Sequence, residues 1–83
     1  MRTNMDINEV NAIGMKFSKD GEETVYVNLH QTHTAYGTTY HRFVKAVAFP
    51  TCLDMWSISQ RYFDEQVKAG NMRVIQTFGE MAG

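Results

Sequence analysis

The stretch from Thr24 to Phe49, TVYVNLHQTHTAYGTTYHRFVKAVAF, constrains the fold more than any other part of the chain, because its first half alternates with a period of two. Val25, Val27 and Leu29 fall on one side of an extended strand and Tyr26, Asn28 and His30 on the other. That is the pattern of a strand with one face in a core and the other toward water. Ala35-Tyr36-Gly37 interrupts the run, and a three-residue loop with its glycine in the left-handed region closes it into a hairpin. This loop sets Leu29 opposite Phe43 and Val25 opposite Val47, so Val25, Val27, Leu29, Phe43 and Val47 are expected to build the core. The second limb carries a competing signal. Tyr40, Phe43, Val44 and Val47 fall at helical spacing, and 40–48 contains few β-branched residues. Agreement of the three apolar faces decides for a strand, with Lys45 the misfit, since it points inward unless its stem covers apolar surface near an edge.

Upstream, Ile13, Met15 and Phe17 alternate with Ala12, Gly14 and Lys16, which predicts a first strand from Val10 to Ser18. For Lys19-Asp20-Gly21, a two-residue loop mixes apolar with polar partners, whereas a three-residue loop sets Met15 opposite Val25 and Ile13 opposite Val27. The second is the expectation. Downstream, Thr51 is placed to cap a helix, with Asp54 three residues on and Gly70 as its stop. Cys52, Met55, Trp56, Tyr62, Phe63 and Val67 form its apolar face, flanked by Leu53 and Ile58. Met72 to Phe78 alternates again, and a right-handed crossover makes it parallel to the first or third strand. The expected fold is α+β: a three-stranded antiparallel meander, one long helix on one sheet face, then a short fourth strand (βββαβ). Residues 1–9 and 80–83 are expected to fray.

With 83 residues the chain has room for one domain and one core, residues 1–83. Charges of both signs are interleaved and sum to −1, which removes the electrostatic footprint of a phosphate-backbone binder. A single cysteine, Cys52, forms no internal disulfide and fits a reducing compartment. No apolar run approaches the roughly 20 residues of a membrane helix, and the N-terminus lacks the apolar centre of a signal peptide. A complete small gene product in the cytoplasm is expected.

Chemistry-bearing residues do not assemble into a site. His30 and His33 differ by an odd number along a strand and face opposite sides, while His33 and His41 share a face but lack the further ligands zinc requires. Cys52 at a helix start has a structural reading as a small hydrophobe, and Asp64 and Glu65 point apart on a helix. No catalytic residue, metal or cofactor is expected. The informative surface is the sheet face away from the helix, where Tyr26, Asn28, His30, Tyr40 and Arg42 come together with Lys16 nearby and Tyr26 over Gly14. Such residues suit recognition by combining contact area with hydrogen bonds.

The general look, one turn-rich sheet and one helix in a compact chain, is similar to small phage-encoded or mobile-element regulators, which implies inhibition of a host or defence protein by direct binding. The expectation is a non-enzymatic protein-binding module whose partner is another protein, with a homodimer formed through the sheet face or an edge strand. One alternative is a single-stranded nucleic-acid binder stacking bases on Tyr26 and Tyr40, with Arg42 and Lys16 on phosphates. A second is a small metal- or thiol-dependent enzyme.

Overall fold

The computed structural model describes residues 6–17, 19–51 and 53–77. It is α+β, as expected, with five strands in place of four: β1 (Val10–Lys16), β2 (Glu23–Ala35), β3 (Thr38–Lys45), β4 (Met55–Ser59), the helix α1 (Gln60–Ala69) and β5 (Met72–Thr77). The sheet order is β4-β3-β2-β1-β5, and every adjacent pair is antiparallel. The ambiguous second limb of the hairpin is a strand.

The extra strand comes from the first half of the expected helix. Trp56 and Ile58 alternate with Ser57 and Ser59, so Met55–Ser59 reads as a strand with one apolar face, and it pairs with β3 as Trp56 opposite Phe43 and Ile58 opposite His41. Ser59, not Thr51, caps the helix: its hydroxyl accepts from the Tyr62 backbone N–H at 3.1 Å. Gly70 closes the other end at φ 86°. The resulting helix of 10 residues is about 15 Å long, half the length expected, and cannot cover the sheet. Adding β4 also reverses the chain once more. β5 therefore runs antiparallel to β1, correcting the parallel pairing inferred from a strand-helix-strand crossover.

Two loop lengths overturn the expected register. Lys16 pairs with Glu23, and the Phe17 N–H donates to the Glu22 carbonyl at 2.9 Å, so the first loop is one residue longer than the bulged turn. Ile13 then faces Tyr26, and Met15 faces Thr24. A one-residue change flips every side chain of the partner strand. Tyr26 and Asn28 are buried on the helix side of the sheet, while Val25 lies opposite Gly14 and Val27 opposite Ala12 on the other face. The hairpin tip is shorter than expected. Only Tyr36 and Gly37 separate the paired Ala35 and Thr38, at φ 52° and 77°, the signs of a type I′ turn.

Further in, Leu29, His30 and Gln31 lie opposite Arg42 alone, between the pairs Asn28–Phe43 and Thr32–His41. His30 absorbs this bulge at φ 57°. Between β1 and β5 two breaks compensate, with Ile75 extra on β5 and Asn11 extra on β1. The second lets Val10 and Ile13, three apart, both face the core. The core consists of Ile7, Val10, Ile13, Tyr26, Phe43, Ile58, Phe63 and Met72. Ile7 corrects the expectation of a frayed start within the described residues: Ile7–Glu9 is a 3-10 turn capped by Asp6, and Ile7 is fully buried. Of the apolar residues expected in the core, Phe43 is there, Val25 and Val27 lie on the opposite face, and Val47 is 92% exposed. The expectations for Cys52, Phe78 and 80–83 lie outside the described residues.

Candidate binding surfaces

The register maps both faces. Toward the helix run the rows Ile58–His41–Thr32, Trp56–Phe43–Asn28 and Lys45–Tyr26–Ile13–Val74. On the other side, Met55, Val44, Val27 and Ala12 form one apolar row across four strands, with Arg73, Gly14 and Val25 beside it. Val44 is fully buried in that row, and Met55 is 48% exposed.

The residues expected to share one outer surface are dispersed. Tyr26 is in the core with its ring 5.0 Å from that of Trp56; burial, and then the Asp54 carboxylate, hold its phenol above the usual range. Asn28 is a buried strut. Its amide nitrogen donates to the carbonyls of Ile7 (3.0 Å) and Val10 (2.8 Å), and its Oδ1 accepts from the His30 N–H (2.8 Å). Three bonds satisfy it, as a buried amide requires, and they fasten the 3-10 turn and the β2 bulge to one point. His30 is exposed in that bulge. Tyr40 and Arg42 do remain on the outer face, joined by His33: the His33 ring stacks on Tyr40 at 5.3 Å and its Nδ1 accepts from the Arg42 Nε at 3.2 Å. Lys16 is exposed on the same face beside Glu23, and Tyr40 lies four pairing rows from it on that face. It is Glu23, not Tyr26, that lies over Gly14, with its carboxylate bound to Arg73 through two hydrogen bonds of 3.0 and 3.1 Å.

The pair His33 and His41, expected on one face, is split. His33 sits opposite Tyr40, whereas His41 is buried on the helix side beside Ile58, where burial lowers its pKa and the Asp6 carboxylate partly opposes this. Among the described residues no group of three or more His, Cys, Asp or Glu side chains is arranged to hold a metal ion. No described helix is long and apolar enough to cross a membrane.

Three features emerge that the sequence reading missed. The short helix leaves a cleft of about 400 Å³ on its own side of the sheet, where Phe17, Tyr26, Trp56 and Tyr62 supply aromatic walls and Lys45 and Asp54 charged ones. Trp56 and Tyr62 meet edge-on at 6.0 Å. Lys45 is therefore the inward lysine anticipated, with its stem against apolar surface. Such a cleft accepts a flat apolar group against its rings and addresses polar ends with Lys45 and Asp54. A smaller hollow of about 300 Å³ follows β4, lined by Tyr40, Trp56, Ser57, Ile58, Ser59 and Tyr62. The third feature is the segment between β3 and β4, where Val47 (92%), Phe49 (51%) and Leu53 (83%) are exposed, followed by Met55. The Trp-Ser-Ile-Ser alternation was the signal for β4; mistaking it for helix hid all three.

Against known proteins, no family model, no curated protein and no solved structure matches this chain.

Proposed function

We propose that this chain is a non-enzymatic protein-binding module that acts by occupying a partner's surface. The observation supporting it is the concentration of exposed large apolar side chains, Val47, Phe49, Leu53 and Met55, within the nine residues that lead from β3 into β4. Scattered surface hydrophobes need no explanation, but four within nine residues of one connecting segment are more than a surface carries by chance. The aromatic cleft lies next to this segment, with Asp54 and Met55 in its wall, so a partner seated on the apolar segment reaches Trp56 and Tyr62. Large rings of this kind dominate binding energies at interfaces. Inhibition of a host or defence protein is the form of this activity suggested by the chain's general likeness in size and layout to small phage-encoded regulators.

The nucleic-acid alternative depended on Tyr26 and Tyr40 forming one stacking platform with Arg42 and Lys16. Tyr26 lies on the opposite side of the sheet, so that platform does not exist.

The test uses a tagged copy in lysate of the native cell, with captured proteins identified by mass spectrometry, beside the double variant Val47→Asp/Leu53→Asp. Both side chains are almost fully exposed, so the variant keeps the thermal midpoint of the parent. The expected result is a protein captured by the parent and lost by the variant. Recovery of nothing, or equal recovery by both, would sink the reading.

A further inference from the structure

We propose that β4 is the interface of a symmetric homodimer, in which two copies pair antiparallel about Ser57 to make a continuous ten-stranded sheet. Among the described residues no strand lies beyond β4, so one row of its backbone N–H and C=O groups is available for pairing. Its sequence, Met55-Trp56-Ser57-Ile58-Ser59, holds no charge, no proline and no break in its pairing with β3. Charge, proline and bulges are devices by which edge strands avoid one another, and β4, at five residues, carries none of these three.

The occupant is argued from self-complementarity. A two-fold axis perpendicular to the sheet through Ser57 sets Trp56 of each copy opposite Ile58 of the other, on the helix side of the sheet. Aromatic and β-branched residues make favourable cross-strand pairs, and here the pair occurs twice. The charges flanking the strand agree. Asp54 precedes it, while the N-terminus of α1 and Arg61 follow it. Antiparallel pairing brings the Asp54 carboxylate of one copy to the positive helix end of the other; parallel pairing brings like ends together. Register is selected too. A slip by two residues in one direction sets Ile58 against Asp54, and a slip in the other sets Trp56 against Gln60, which is already helical. The hollow that follows β4, lined by its residues Trp56 to Ser59 together with Tyr40 and Tyr62, is where the second strand lies. About four to six backbone hydrogen bonds join the copies, and the dimer keeps both helices on one face.

Sedimentation of the full chain over a range of concentration up to roughly 0.1 mM tests this, since the interface is small and the equilibrium is expected in the micromolar range. The parent is expected to approach twice the 9.5 kDa monomer mass. Ser57→Glu places two carboxylates face to face across the axis, while within one copy the new side chain lies opposite Arg42 and is tolerated. It is expected to remain monomeric with an unchanged circular dichroism spectrum. In a Cys52→Ser background, Ser57→Cys is expected to oxidise to a covalent dimer, because directly opposed residues have Cα atoms within disulfide reach; Ile75→Cys, on the β5 edge, is expected to stay monomeric. A monomeric parent, a dimeric Ser57→Glu, or cross-linking through Ile75 in place of Ser57 each overturns the proposal. A monomeric parent would leave β4 to a strand from a different protein.

Discussion

β4 and β5 end the same sheet and are held by different forces. Around β5 polar fastenings are added to the core packing of Met72 and Val74. Glu23 reaches across β1 to clamp Arg73, Asn11 donates to Gln76 at 3.2 Å, and Asn28 grips the Val10 carbonyl at the start of the neighbouring strand. β5 also carries a charge and an irregular register. Around β4 the fastenings are rings and aliphatics: Trp56 between Tyr26 and Tyr62, and Ile58 beside Phe43 and the buried His41. The contrast teaches that protection of an edge and attachment of an edge are separate problems. The polar groups of β5 guard its edge and add to the attachment that Met72 and Val74 supply, whereas β4 is attached but carries no such guard.

The strongest way to break this contrast is through Asn28. Asn28→Ala removes three hydrogen bonds at once, those to the Ile7 and Val10 carbonyls and that from the His30 N–H, although the Ile7 carbonyl keeps the Val10 N–H. A buried polar group that loses its partner costs about 1–3 kcal/mol where water cannot replace the bond. A loss of roughly 2–4 kcal/mol is expected, which for a domain of this size lowers the melting midpoint by on the order of 10 °C or more. Hydrogen exchange should locate the damage: the amides of Ile7–Val10 and β5 are expected to gain exchange rate well before those of β4. Uniform loosening of both edges would show that the polar and apolar sides are one cooperative unit.

Acid probes the β4 side. Burial holds the His41 pKa below the value it has in the unfolded chain, so the unfolded state binds the proton more readily. Its contribution is fully present above the unfolded value near 6.5 and is lost as pH falls from there toward the folded pKa. Melting midpoints measured from pH 7.5 down to 5 are expected to decline, with β4 amides exchanging first because Ile58 lies opposite His41. His41→Gln is expected to remove that part of the slope. An unchanged slope would assign the decline to other groups.

How much of this was legible in the sequence follows from the same contrast. The alternation of Val25 to Leu29 and of Met72 to Val74 correctly marked strands, because period two survives whichever face is buried. Which face is buried did not survive, since it depends on one residue in the loop after Phe17, and no local pattern distinguishes that count. Propensity favoured burying three aliphatics over a tyrosine and an asparagine. The long-range bonds of Asn28 to Ile7 and Val10 reverse that preference, and they join residues about 20 apart that nothing in the local pattern links. For the candidate site the consequence was severe: Tyr26 and Asn28 went inward, His30 went into the bulge, and Tyr40 and Arg42 kept the outer face with Lys16 four rows away. β4 was legible and was missed, because Trp56 and Ile58 fit a broad helical face as readily as an alternating strand until Ser59 is recognised as the cap.

The smallest effect sharpens the contrast most. Glu23→Gln removes the ion pair with Arg73 but keeps its length, and because both groups are partly exposed the cost is expected to be at most about 1 kcal/mol. Gly14→Ala reaches the same clamp from beneath. A Cβ there would stand 2.7 Å from the Glu23 Cδ, so the flexible carboxylate must swing aside and release the guanidinium. If the clamp is what both substitutions remove, the double variant costs no more than the larger single one, since the two act on one interaction. Faster exchange confined to β5 amides near Arg73, with β4 unchanged, is the expected signature. Full additivity would mean that Gly14 matters for the β1 backbone itself, and that β5 is held by its ladder without the polar clamp.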